Sequence, residues 1–171
     1  MMLIRAAQPD DALSVGELHV RSWQVAYNGL LPQGYLDGLD GKQRAARYDF
    51  ANADPSKPKT FVAVNDQVIV GFVTISPATD EDLAACSEVS ALYVDPDCWR
   101  RGVGSKLLVY AEHQLAARGY QRAVLWVLRG NTKAEQFYHA SGWIYDGKHR
   151  SAVVWNVAID ETRYQRVLSP R

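Results

Sequence analysis

The stretch Cys98-Trp99-Arg100-Arg101-Gly102-Val103-Gly104-Ser105 has the residue types of an anion site. It falls between a strand-like run and a helix-like run. Two arginines at a helix start meet the positive end of its dipole, which is unfavourable unless an anion binds there. Gly102 and Gly104 lack a Cβ, so backbone N–H groups can approach a ligand closely. Free helix-start N–H groups, positive charge and permissive glycines together describe a pyrophosphate cradle. Two other phosphate motifs fail. The P-loop needs Gly-Lys followed by Ser or Thr, and here Ser105 precedes Lys106. The dinucleotide fingerprint needs a third glycine where this chain has Leu107. Two glycines alone also suit a tight turn that packs a helix on a sheet.

A cradle needs elements to hold it. Leu3 to Ala6 predicts a short strand. Pro9, Asp10 and Asp11 open a helix that runs to about Tyr27 and ends at Asn28-Gly29, with Pro32 beyond. Leu36 to about Phe50 predicts a second helix, weakened early by Gly38 and Gly41. Phe61 to Val64 and Val68 to Ile75 are strand-like, joined by a tight turn at Asn65-Asp66-Gln67. Glu88 to Val94 is a further strand, closed by Asp95-Pro96-Asp97. Gly102 to Arg118 reads as a helix with Gly104, Leu108, Ala111 and Leu115 on one face and Gly119 as its cap. Ala123 to Leu128 is almost continuously apolar, as in a strand buried on both faces. Asn131 caps a helix to about Ala140, and Trp143 to Tyr145 and Val153 to Ile159 are the last strands. The order β-α-α-β-β-β-α-β-α-β-β predicts a mixed α/β sheet.

The chain has 171 residues, enough for one compact domain with its own core. The polar stretches Asn52 to Lys59 and Thr79 to Asp82 are too short for interdomain linkers, so one domain, 1–171, is expected. Nineteen basic residues balance nineteen acidic ones, which argues against a dedicated nucleic-acid binder. Cys86 and Cys98 are too few for a disulfide framework. The start Met1-Met2-Leu3-Ile4-Arg5 has no apolar leader, and no apolar run is long enough to cross a membrane. The expectation is a soluble cytoplasmic protein without nucleic-acid or membrane partners. His19, His113, His139 and His149 lack metal-ligand spacing, so no metal is expected.

Three segments, in order and at matching spacing from Glu88 to Trp143, resemble the GCN5-related N-acetyltransferase (GNAT) family. The family's acetyl-CoA motif is Gln or Arg, two residues, Gly, any residue, then Gly or Ala. This chain matches at Gly102 and Gly104 and departs at the first position, which is Trp99. Glu88-Val89-Ser90-Ala91-Leu92-Tyr93-Val94-Asp95-Pro96 resembles the family's central strand. Asn131-Thr132-Lys133-Ala134-Glu135-Gln136-Phe137-Tyr138, followed by Gly142-Trp143, resembles its Asn-x-x-Ala-x-x-Phe-Tyr and Gly-aromatic pattern.

The resemblance implies a mixed, mostly antiparallel central sheet flanked by helices, the acyl-CoA N-acyltransferase fold. It implies acetyl transfer from acetyl-CoA to a primary amine of a small molecule, by direct attack in a ternary complex. A protein N-terminal or lysine acetyltransferase, and a non-catalytic acyl-CoA sensor domain, are the alternatives. Leu92, Tyr93 and Val94 would pair with the pantetheine arm, and the Leu92 amide would face the developing oxyanion. Arg100, Arg101, Gly102, Val103, Gly104 and Ser105 would hold the pyrophosphate, with Asn131, Ala134 and Phe137 along the cofactor arm. Glu88 would take a proton from the amine, directly or through a water, and Tyr138 would give one to the leaving thiolate. The acceptor would lie over the first two helices, where Trp23, Tyr27, Leu31 and Tyr35 cluster and would wall its site. The resemblance leaves a homodimer through Tyr145 to Val157 open.

Overall fold

The computed structural model describes residues 1–169; Pro170 and Arg171, included in the expected domain, lie outside the described residues. Its strands are β1 (Met2–Ala6), β2 (Lys59–Asn65), β3 (Val68–Pro77), β4 (Ser87–Val94), β5 (Arg122–Leu128), β6 (Ile144–Val154) and β7 (Val157–Val167). Its helices are α1 (Ala12–Ala26), α2 (Gln33–Asp37), α3 (Gly41–Ala45), α4 (Val103–Ala117) and α5 (Thr132–Ala140). The strands form one sheet in the order β1-β2-β3-β4-β5-β7-β6. Every neighbouring pair is antiparallel except β4 and β5. This is the mostly antiparallel mixed sheet that the resemblance implied.

Helices cover both faces because the strands alternate apolar residues to both. α4 buries Val103, Leu107, Leu108, Ala111 and Leu115 in a core with Phe61, Val73, Ile75, Leu125 and Val127. α1 buries Val15 and Leu18 against Val62 and Phe72 on the opposite face. Buried aliphatic side chains at these spacings contribute about 1.5–3 kcal/mol each.

Two features of β4 position the site. Its register with β3 shifts, so that Ile75 faces Val89 while Thr74 faces Ala91, leaving Ser90 as a bulge. A one-residue bulge inverts the side-chain alternation. Val89, Leu92 and Val94 therefore all pack toward α4, while Ala91 and Tyr93 pack toward α1. Secondly, β4 pairs with β5 only at Ser87–Ala123 and Glu88–Val124, after which the two strands diverge.

The structure departs from the sequence reading in three places. The expected helix from Leu36 to Phe50 is two short helices. Gly38 ends α2, and the Asp40 side chain restarts the chain by accepting from the Lys42 and Gln43 N–H groups. Gly41 is there for packing, since a Cβ on it would meet the Glu17 backbone of α1 at 3.0 Å. The expected strand Val153 to Ile159 is instead a hairpin turn with its flanks. Trp155 and Asn156 have φ of 51° and 63° and reverse the chain between β6 and β7. Trp143 precedes β6 and is fully buried rather than being a strand residue.

Candidate active site

The divergence of β4 and β5 opens a cavity of about 940 Å³. One end is the start of α4. Gly102 occupies the N-cap with φ of 80°, a conformation that costs an L-residue steric energy, and nothing lies within 4 Å of where its Cβ would be. The first-turn N–H groups of Val103, Gly104 and Ser105 have no earlier helical carbonyl to bond. Arg100, also left-handed with φ of 62°, borders the cavity with these residues. Arg101 does not border it: the turn at Arg100 leaves Arg101 exposed outside the cavity.

Trp99 stands where the family motif has Gln or Arg. Its indole N–H donates to the Val94 carbonyl at 2.8 Å, and the Ser22 hydroxyl donates to the same oxygen at 3.1 Å. These two bonds satisfy the end of β4 where β5 no longer can. The Asp95 N–H bonds back to Val70 of β3. Strand alternation then turns the Leu92 and Val94 N–H groups toward the gap. Opposite them, Asn131 caps α5 by accepting from the Ala134 N–H at 3.2 Å. Asn131, Ala134, Phe137 and Tyr138 all line the cavity. Free helix-start amides, a left-handed glycine and an open strand edge fit the pyrophosphate and pantetheine arm of a coenzyme A.

Glu88 sits on the cavity wall beside the last paired rung of β4 and β5. Burial, helped by the nearby Asp80 and Glu161 carboxylates and partly offset by Arg150, raises its pKa to about 7. Tyr138 makes no hydrogen bond among the described residues, and burial raises its phenol above the usual range. Its ring packs against Phe137, Trp143 and Tyr164. Tyr93 and Tyr27 pair through their hydroxyls at 3.2 Å, and burial raises both. Tyr93 thus serves the cavity with its side chain on the α1 face as well as with its strand.

Trp23, Tyr27 and Leu31 border the cavity. Tyr35 does not; its hydroxyl donates to the Trp155 carbonyl and ties α2 to the β6–β7 hairpin. Trp155 packs on His19 and Trp23 of α1, and the Arg44 guanidinium lies 4.7 Å from its ring. The hairpin tip is thereby clasped to the helices on one side of the cavity.

Sequence reasoning missed Trp126, Arg150 and Glu161, which line the cavity near Glu88. Arg150 and Glu161 face each other across the β6–β7 hairpin. Reading Asn156 as a turn residue would have placed them opposite one another. Among the described residues, no group of His, Cys, Asp and Glu could hold a metal ion. No helix there is long and apolar enough to cross a membrane.

A sheet prised open between two parallel strands, with a helix N-terminus at the mouth, is the architecture of acyl-CoA-dependent acyltransferases. The chain belongs to the acetyltransferase (GNAT) family, whose sequence pattern matches residues 19–143, and it is an acyl-CoA-dependent N-acetyltransferase. It is 26% identical over 132 residues to the uncharacterised N-acetyltransferase YuaI of Bacillus subtilis (strain 168), covering 77% of this chain and 74% of the relative. It is 22% identical over 144 residues to a spermidine N(1)-acetyltransferase of Thermoplasma acidophilum, covering 82% and 86%. Its fold superposes on the PaiA N-acetyltransferase of Thermoplasma acidophilum, crystallised with coenzyme A. The TM-score is 0.73 at 18% identity, covering 98% of this chain and 99% of that one.

Proposed function

We propose that this chain moves an acetyl group from acetyl-CoA to a primary amine of a small molecule, by direct attack while both are bound. The observation that carries this reading is the position of Glu88. A half-buried carboxyl with a pKa of about 7 lines the same cavity as the free α4 amides. Acetyl-CoA supplies an activated thioester. The chain's own groups do the rest. The α4 N–H groups and Arg100 hold the pyrophosphate, and the gap-facing edge of β4 holds the pantetheine arm. The Leu92 N–H donates to the carbonyl oxygen as negative charge develops there. Glu88 receives the proton of the attacking amine, directly or through a water, and Tyr138 donates one to the departing sulfur. Arg101 and Tyr35 have no part in this assignment.

A small acceptor fits better than a peptide because the Trp155 tip of the hairpin is packed onto α1 beside the cavity. Calorimetric titration with acetyl-CoA, free CoA and adenosine diphosphate tests the cofactor half. Binding that needs the pantetheine arm is expected; equal binding of adenosine diphosphate would overturn it. Release of free CoA with a panel of small primary amines tests the other half. Turnover on lysine peptides alone would move the acceptor class to proteins.

A further inference from the structure

Arg150 is held in an unusual way for a residue at the rim of a cavity. Its Nε donates to Glu161 Oε1 at 2.9 Å, from the directly opposed position on β7. Its guanidinium carbon stands 4.0 Å from the centre of the Trp126 ring. The group is thus fixed on one edge by a carboxylate and on one face by an indole. Its two terminal nitrogens have no hydrogen-bond partner among the described residues. A planar guanidinium with that edge free and its orientation already set suits bidentate binding of a carboxylate. Little side-chain entropy remains to be lost on binding.

The charge inventory of this end of the cavity points the same way. Glu161 is neutralised by Arg150. Glu88 is the other carboxylate lining it, so the cavity offers an amine a single unpaired carboxyl. A polyamine would bring two or more positive charges to a wall with that one carboxyl to meet them. A zwitterion would bring one positive charge for Glu88 and one negative charge for Arg150. Trp23, Leu31 and Ile159 give that wall buried apolar surface.

We infer that the acceptor is an amine that also carries a carboxylate, with Arg150 as the residue that binds the carboxylate. In its simplest form the acceptor is an amino acid with an apolar side chain. This inference rests on the acetyl-transfer reading, and the test separates the two.

Binding to the protein saturated with CoA is measured calorimetrically for leucine, methionine and phenylalanine, for their carboxamides, for the decarboxylated amines and for 1,4-diaminobutane. Free CoA release from acetyl-CoA is recorded for the same compounds. The carboxylates should bind about 10- to 100-fold more tightly than their carboxamides. In Arg150→Gln that ratio should fall to about one. The double variant Arg150→Gln/Glu161→Gln, which leaves no carboxylate unpaired, should show the same collapse. A ratio near one in the unaltered protein, tighter binding of 1,4-diaminobutane, or a ratio that survives both variants would overturn the inference. Carboxylate-selective binding without CoA release from any amine would remove the transfer reading and leave the Arg150 site standing. Turnover without carboxylate selectivity would do the reverse.

Discussion

Glu88 is a carboxyl made basic by burial rather than by hydrogen bonding. It works as a base only when ionised, so the maximal rate with both substrates saturating should rise with pH, tenfold per unit, and level off above about pH 7. Glu88→Gln should lower that rate by about 100-fold and abolish the low-pH limb. Stability carries the same signature with a definite sign. The folded carboxyl keeps its proton above the ordinary value of 4.5, so its contribution is complete below that pH. The contribution is lost as pH rises through about 7, and thermal melts of Glu88→Gln should lack this slope. Burial biases Tyr138 in the same direction, toward its protonated form. A buried phenol without a partner stays protonated, as a proton donor must. Tyr138→Phe should slow turnover by about 10-fold or more while acetyl-CoA affinity stays within about twofold, as separate rate and binding measurements would show.

At the scale of elements, the two glycines of the cradle act for different reasons. Gly102 is required by its backbone angle, so Gly102→Ala should cost about 1–2 kcal/mol in urea unfolding. Gly104 is ordinary helix, and a Cβ there would meet the Phe137 ring at 3.4 Å. Gly104→Ala should leave stability nearly unchanged and show its loss in acetyl-CoA affinity. The sequence made both glycines and Asn131 visible because each lies in a short motif whose chemistry is local, while Glu88 and Tyr138 were singled out by the family resemblance. It also gave the strand-helix alternation of the second half. The final hairpin stayed hidden because its turn looks like strand. Trp155 and Asn156 lie between β-branched residues, and Trp155 holds a left-handed angle amid packing against His19, Trp23 and Arg44. With that turn went Arg150 and Glu161, whose meeting depends on register. The roles of Gly41 and Trp99 were equally illegible: one is set by a helix crossing and the other by a carbonyl five residues back.

Across the whole molecule, the acidic loop between β3 and β4 is tied to the far side of the sheet by one residue. Arg163 on β7 is 5% exposed at its side chain and donates to both Asp82 oxygens at 2.9 and 2.8 Å and to Asp146 at 2.7 Å. Asp80 lies beside it at 4.0 Å. These bonds hold the Asp82 carboxyl down at about 2. Removing the cation leaves Asp80, Asp82 and Asp146 without the guanidinium between them. Arg163→Met should therefore destabilise the fold by about 3–5 kcal/mol in urea, with a part of the loss recovered in Asp146→Asn/Arg163→Met.

The two rungs that join β4 to β5 make the sheet two half-sheets sharing a short seam. Beyond the seam, the Leu92 and Val94 amides open onto the cavity, while Ala91 and Tyr93 lie opposite β3. In deuterated water the first pair should exchange quickly in the free protein and the second pair slowly. Saturating acetyl-CoA should slow Leu92 and Val94 selectively, as it would if the thioester's arm became a strand in the interior of the sheet. The cosubstrate would then be a missing piece of secondary structure that bridges the two half-sheets beyond the seam.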